Sequence, residues 1–439
     1  MTTPIFLDRR SVLKSAAAAL PAWFVSELRA VDDPPKPTEK LKIALIGCGG
    51  RGRGVAGEAS KFGTVVAVCD VDTSHAAAAS KQFNGAKQYA DFRKLLDAEK
   101  GVSVIVNGTP DHWHTLVNLA VLKAGKDVYS EKPLTLTIDE GKRVVAAVKE
   151  TGRVLQTGSQ QRSDPRFRLA CEVVRNGRLG KLTKVTTILP QGLTAGPFKT
   201  AAVPKDLNWD FWQGQAPEHE FVPERSHFSF RYWSEYSGGT LTDWGAHHND
   251  IALWGMGLDR TGPVSAEGKL LSKPIDGGYT APAAYEVEFI YANGVVHRCI
   301  STTSSGVTGS PSTSGVKPGD QPHGVKFEGT DGWLFVTRGK IEASKPEILN
   351  DKFTDKDVRL MVSNDHMGNF FDCVQSRKKP ICEAEIGHRS ASLCHLAGIA
   401  VRLGRKLNWD PVKELFVDDK EANRHVAREQ RKPWSYDMI

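Results

Sequence analysis

Two groups of residues in this 439-residue chain have types and spacings that can do chemistry. The first is Gly47-Cys48-Gly49-Gly50-Arg51-Gly52, a G-x-G-x-x-G run. Gly47 permits a tight turn, Gly49 lets a pyrophosphate approach the backbone, and Gly52 lets a following helix pack closely on the strand before it. The amino terminus of that helix presents free N–H groups and a partial positive charge to phosphate. Asp70 follows at about the 20-residue distance where a carboxylate accepts from ribose hydroxyls. It repels a 2′-phosphate, as does the nearby Asp72, which favours NAD over NADP. The second group is Asp243 and His247. If 243–254 is helical, these two share a face, and His248 points roughly 100° away. A carboxylate beside an imidazole suits removal of a hydroxyl proton.

The elements that must position these residues are legible around them. Residues 41–46 form a short apolar run, read as a buried parallel strand, and the glycine run leads from it into a helix-compatible stretch up to Phe62. Further β-α units follow. Strands are predicted at 65–69, 102–106 and 127–130, with helices leading to Lys123 and over 137–151. Alternating strands and helices imply a parallel sheet with ligands at the carboxyl ends of its strands. Asp111, His112, His114, Glu131 and Lys132 all fall at such ends. In the second half, strand-like segments at 182–189, 264–271, 285–291, 295–303 and 325–336 predict an α+β region. Asn293-Gly294 marks a hairpin, and helices are expected at 365–376 and 388–403. The fold class is therefore α/β, an N-terminal Rossmann dinucleotide-binding domain (41–160) joined to a C-terminal α+β domain with a mostly antiparallel sheet (161–439).

Four motifs in order resemble the glucose–fructose oxidoreductase/inositol dehydrogenase (Gfo/Idh/MocA) family. They are the glycine loop, Thr109-Pro110 through His114, Glu131-Lys132-Pro133, and the block from Gly238-Gly239 to Asp243-Trp244-Gly245-Ala246-His247. The resemblance runs from about Leu41 onward. It implies a nicotinamide-dependent oxidoreductase acting on a sugar or polyol hydroxyl, with NAD as cofactor, and a homo-oligomer formed through one face of the second sheet. It also implies that Lys132 stands at the nicotinamide and that Asp243 and His247 face it, making these three the catalytic residues. His247 would then take the hydroxyl proton, Asp243 would orient and charge-balance the imidazole, and Lys132 would hold the reacting oxygen. A bound nicotinamide would lower the proton affinity of Lys132. The Lys132–Pro133 bond is a candidate for the cis form. Cofactor contacts are expected from Gly47, Gly49, Gly50, Arg51, Gly52, Asp70, Thr109, Asp111, His114, Glu131, Lys132 and Gln160.

Substrate contacts are expected from Trp209, Trp212 and Arg231, in a stretch, 207–254, that holds five of the chain's ten tryptophans. Aromatic faces beside hydrogen-bonding groups suit sugar rings. His248 is a further candidate, and Arg162 either binds substrate or bridges the domains. The same fold class admits an NAD-dependent glycosidase that oxidises, eliminates, hydrates and reduces, or a sugar sensor without turnover.

Composition excludes other classes. The first thirty residues hold four of the positive and two of the negative charges, leaving +5 of the formal +7, without a dense basic cluster. This argues against nucleic acid as a ligand. The seven cysteines are scattered and no CxxC occurs, which argues against a disulfide scaffold or zinc ribbon. His112, His114, His247, His248 and Asp243 are possible metal ligands, but no HExxH spacing exists and no metal is expected. Asp8-Arg9-Arg10-Ser11-Val12-Leu13-Lys14 and the alanine-rich run up to Val25 resemble a twin-arginine export signal over 1–30. That run is too short to span a membrane. Residues 31–40 read as a linker, and the location implied is the periplasm or another exported compartment. An enzyme exported folded would hold its NAD tightly and restore its redox state in each cycle. The Ser/Thr/Gly/Pro-rich stretch 301–322 reads as a loop.

Overall fold

A computed structural model describes residues 40–302 and 323–436. The twin-arginine segment and most of the predicted 301–322 loop lie outside the described residues.

Six strands form the first sheet: β1 (Leu41–Ile46), β2 (Gly63–Cys69), β3 (Lys87–Tyr89), β4 (Val104–Asn107), β5 (Asp127–Ser130) and β6 (Leu155–Thr157). Their order is β3-β2-β1-β4-β5-β6, with every pairing parallel. β4 and β5 are buried on both faces, as a sheet covered on both sides by helices requires. The chain goes from β1 to its neighbour β2 on one side, and β4 pairs β1 on the other, so the order reverses at β1/β4. At such a point the helices leave in opposite directions and open a crevice at the strand ends. Glycines line that crevice. A Cβ on Gly47 would stand 2.5 Å from the Gly108 carbonyl carbon, and one on Gly108 would stand 2.6 Å from Gly52 Cα.

The second sheet has nine strands: β7 (Leu182–Leu189), β8 (Ser265–Leu270), β9 (Tyr285–Ile290), β10 (Val296–Ser301), β11 (Gly324–Gly329), β12 (Trp333–Thr337), β13 (Lys340–Ala343), β14 (Lys406–Asp410) and β15 (Leu415–Phe416). Its order is β13-β12-β11-β7-β10-β9-β8-β14-β15. Only β7 and β10 run parallel, so the sheet is mostly antiparallel. The predicted strand 325–336 is a hairpin of β11 and β12, broken at Asp331-Gly332. The Asn293-Gly294 turn is present, with Gly294 at φ +81° and Asn293 Oδ1 accepting from Val295 N at 3.1 Å.

Helices from the second half bind the two sheets together. Helix His366–Ser376 sends Met367, Phe370 and Phe371 into the core formed by β1, β2 and β4. Helix Ala384–Leu403 packs on β8 and β9 through Leu393, Leu396 and Ala400. The predicted helix 243–254 is two segments, Thr240–Asp243 and Gly245–Met256, joined at Trp244, which keeps right-handed helical angles (φ −83°, ψ −30°). The seven cysteines are free and buried. No helix among the described residues is long and apolar enough to cross a membrane.

Candidate active site

β1 ends in the glycine loop, and the helix Gly50–Ala59 begins there with no side-chain cap and no acidic residue in its first turn. Its first N–H groups are therefore free for an anion. A Cβ on Gly52 would run into the Gly47 carbonyl, whereas Gly49 and Gly50 have nothing within 4 Å of the corresponding position. The loop is closed by its outer glycines and open at its middle, the shape a dinucleotide needs. At the end of β2, Asp70 is held by its own backbone surroundings: Cys48 N donates to Oδ2 at 2.6 Å and Asp72 N to Oδ1 at 2.9 Å. Burial pushes its carboxyl upward, and these two N–H groups work against that shift. The loop and Asp70 line one groove of 450 Å³, together with Thr109, Asp111, His114, Glu131 and Lys132. These residues fit a dinucleotide.

Not all of them are free to touch it. His114 is buried, and its ring nitrogens lie 2.7 Å from the Pro133 carbonyl and 2.9 Å from that of Thr109. It ties together two strand-end turns while lining the groove. Asp111 accepts from Ser237 Oγ at 2.5 Å and is likewise buried. Thr109 donates its hydroxyl to Asn107 at 2.7 Å. Arg51 reaches across the groove to Glu131 at 2.9 Å. Gln160 donates to the Tyr129 hydroxyl at 2.9 Å beside the same carboxylate.

A second cavity of 540 Å³ adjoins the groove and shares Arg51, Glu131 and Lys132 with it. Its far wall carries Asp243, His247 and Arg338. Lys132 sits at the end of β5, followed by Pro133 through a cis peptide. Its ammonium donates to the Asp243 carboxylate and, at 3.2 Å, to the Asp243 backbone carbonyl. Arg231 Nε lies 3.7 Å from the same carboxylate. Burial opposes ionisation of Asp243, but Lys132 and Arg231 outweigh it and hold the carboxyl below its ordinary range. His247 is buried, and burial, with Lys132 and Arg338 nearby, pushes its imidazole well below its usual value. A neutral imidazole in a cationic cavity is a proton acceptor at neutral pH.

The structure thus brings Lys132, Asp243 and His247 to one cavity, but with different partners from those expected. Asp243 serves Lys132, and His247 Nδ1 has no hydrogen-bond partner among the described residues. The one-turn spacing places both residues at the cavity, but the ammonium captures the carboxylate because the charge pair is the stronger contact.

Several expected substrate contacts are corrected. Arg162 is 2% exposed and makes a two-pronged pair with Asp250 at 2.7 and 2.8 Å, and a third contact with Asp259 at 3.1 Å. Every arm of the guanidinium is committed, so of the two alternatives Arg162 takes the bridging one, tying the segment after β6 to the helix Gly245–Met256 and to Asp259. Trp209 and Trp212 stack on each other with centroids 4.9 Å apart inside a buried aromatic cluster. Trp209 does not line either cavity, and Trp212 borders the dinucleotide groove. His248 is fully buried against His323 (2.7 Å), behind Trp244 and Phe167, and does not line the cavity. Of the expected set, Arg231 alone reaches the Asp243 carboxylate.

Other residues emerge only in three dimensions. Arg338 lies in the β12–β13 turn, its guanidinium 4.8 Å from the Trp244 ring centroid. Asp72, His75 and His227 each offer a ligand atom within 4.8 Å of the others, the one such grouping among the described residues. It stands at the Asp70 end of the groove.

Sequence comparisons agree with this geometry. Residues 41–159 match the oxidoreductase family with an NAD-binding Rossmann fold, and residues 189–297 and 325–436 match its C-terminal alpha/beta domain. The chain is 26% identical over 294 residues to scyllo-inositol 2-dehydrogenase (NAD(+)) of Bacillus subtilis (strain 168), an alignment covering 64% of this chain and 70% of that one. It is 36% identical over 146 residues to inositol 2-dehydrogenase 2 of Saccharopolyspora erythraea, covering 32% of this chain but only 42% of that one. The fold is shared with the WlbA dehydrogenase of Bordetella pertussis, solved with NADH and UDP-GlcNAcA. Its TM-score is 0.63 at 18% identity, over 85% of this chain and 99% of that one. With a glycine-lined switch point, a carboxylate closing β2 and both domain matches in place, the chain belongs to the GFO/IDH/MocA family of NAD-binding oxidoreductases.

Proposed function

We propose that this protein moves hydride between a sugar or polyol hydroxyl and an NAD that it keeps through the catalytic cycle. The observation that carries the reading is the Lys132–Asp243 pair beside neutral His247, in a cavity sharing Lys132 with the dinucleotide groove. When bound, the nicotinamide supplies the hydride acceptor or donor. The chain supplies the rest. Lys132 donates a hydrogen bond to the reacting oxygen and stabilises the negative charge that develops there. The His247 imidazole accepts the hydroxyl proton and returns it in the reverse direction. Asp243 keeps the Lys132 ammonium in place and balances its charge. Glu131 and Gln160, lining the same cavity, offer hydrogen-bond partners to substrate or cofactor.

The two relatives matched in sequence are inositol dehydrogenases, which supports a small polyhydroxylated substrate. The Arg9-Arg10 segment supports export of a folded, cofactor-loaded protein. Purifying the full chain, denaturing it and identifying the released nucleotide by absorbance and mass spectrometry tests the retained cofactor. Incubation of the holoprotein with a panel of inositols, aldoses and glycosides tests the chemistry. NAD reduction by a polyol supports net oxidation. Glycoside cleavage without NAD turnover would replace it with the redox-neutral cycle, and absence of bound or bindable NAD would sink both.

A further inference from the structure

The Asp70 end of the dinucleotide groove is walled by a segment from the second half of the chain. Residues 206–208 run antiparallel to 71–73: Thr73 N donates to Asp206 O at 2.8 Å, and Asn208 N to Val71 O at 3.0 Å. Further along, His227 returns to the same place. Its Nε2 lies 3.2 Å from Asp72 Oδ2, and its ring stands 4.4 Å from that of His75. The other oxygen of Asp72 is committed to the helix Thr73–Gln82, accepting from Ser74 N at 2.9 Å and Ser74 Oγ at 2.6 Å. His227 therefore meets a carboxylate whose other oxygen is already fixed by the helix. To do so it adopts φ +50°, the left-handed region that side chains avoid. Such a backbone persists only where its surroundings hold it, and it tends to mark a working position. The next residue, Phe228, is 65% exposed and lines the same groove, with the Arg231 guanidinium 4.8 Å from its ring centroid. An aromatic ring this exposed at the edge of the groove has a surface to offer a ligand.

We propose that His227 is a cofactor-positioning residue. It latches segment 206–231 onto Asp72, so that the adenosine half of the bound dinucleotide, anchored at Asp70, lies under the segment and leaves slowly. The inference rests on the NAD reading of the groove and adds which residues make the cofactor a resident one. Because Asp72 and His75 belong to the first sheet's connections and His227 to the second half, the contact adds to the backbone pairing of 206–208 in joining the two halves over the ligand.

The test loads the full-length protein with NADH and follows loss of bound-NADH fluorescence after mixing with excess NAD. Losing one partly buried contact of this kind corresponds to release about tenfold faster in His227→Ala. His227→Gln, which can still donate to Asp72, should release at close to the wild-type rate. The melting temperature of the nucleotide-free protein should not separate the two variants, whereas a merely structural role would move it in parallel with the release rate. Should His227→Ala fail to fold, hydrogen exchange on the wild type decides: amides of 206–231 gain protection when NADH binds. Wild-type release rates in His227→Ala, or unchanged exchange over 206–231, would overturn the latch. Release accelerated in the wild type by EDTA would also overturn it, assigning Asp72, His75 and His227 to a shared metal ion. A wild type that binds no NADH fails earlier, at the reading of the groove itself.

Discussion

Lys132 and Asp243 are joined across the two halves of the molecule: the ammonium donates to both the carboxylate and, at 3.2 Å, the backbone carbonyl of Asp243. This fixes the lysine's position at the mouth of the cavity and leaves His247, one turn further on, without a carboxylate partner. The two functions usually combined in a carboxylate–histidine dyad are thereby separated. The carboxylate holds the group that stabilises oxyanion charge, and the imidazole is kept neutral by burial and by the cations around it.

Replacing Lys132 by Met should remove oxygen stabilisation and leave the groove intact. Turnover should fall about 10²–10³-fold, the usual loss for one such donor, while bound NAD stays at its wild-type stoichiometry. Asp243→Asn should lower turnover with a rise in substrate KM, since Lys132 is then free to leave the reacting oxygen. Steady-state kinetics with nucleotide content measured on the same preparations checks both.

The neutral state of His247 sets the acid limb of the rate profile. Its imidazole titrates below the ordinary value near 6.5 because it is buried among cations. The oxidation rate should therefore hold through pH 6.5 and fall only at lower pH, as the imidazole takes up its proton. A profile of kcat/KM with its acid inflection at or above the ordinary imidazole value would remove His247 from the base role.

Stability should also be lost in acid, and for the same physical reason at other positions. Burial lowers His112 and His297 to about 3, and His366 and His395 to about 4. The unfolded chain takes up protons on these groups near pH 6.5, while the folded chain refuses them until pH 3–4. Folding therefore releases protons, and stability is full above about pH 6.5 and declines as pH falls through this window. Melting temperatures recorded from pH 7.5 to 4 check the sign, and a flat profile would contradict it.

Arg162→Met should leave Asp250 charged and unpaired in the core, where it is 0% exposed. Breaking a buried pair from one side costs about 3–5 kcal/mol. Denaturant unfolding should show that loss, with NAD affinity of the surviving folded protein unchanged. A variant of wild-type stability and altered substrate KM would restore Arg162 to the substrate site.

Gly49→Ala and Gly52→Ala should fail in different ways. A methyl on Gly52 meets the Gly47 carbonyl, so the loop itself must deform and stability falls. A methyl on Gly49 meets nothing in the protein, and its φ of −63° suits alanine. It should fold normally and bind NAD about tenfold more weakly, because the added atom stands where the pyrophosphate approaches. Calorimetric titration with NAD beside thermal melts separates the two.

Much of the fold and the nucleotide half of the site were legible because their signals are local. The run Leu41–Ile46, the glycine spacing and Asp70 lie within thirty residues of one another, and each has a conformational reason for its residue type. The Asp243/His247 spacing likewise predicts two side chains at one cavity. What the spacing cannot convey is competition between partners distant in sequence. Lys132 lies 111 residues from Asp243, and only the closure of the second half over the first lets an ammonium take that carboxylate from the imidazole. The two readings of Arg162, and the place of Trp209, stay open in the sequence for a related reason: a guanidinium or indole has the same composition in a core as in a pocket. Whether Arg162 meets substrate or Asp250 depends on a pairing across 88 residues. His227 carries no local signal at all, since its role comes from meeting Asp72 and His75 across the groove. Short-range sterics and charge decide the sheet, the phosphate loop and the nucleotide preference, so neighbouring residues suffice to specify them. The tertiary structure decided which charged groups neutralise each other and which are left over for chemistry. Electrostatic pairing in a buried site is settled by distance, and distance between remote residues exists only once the chain has folded.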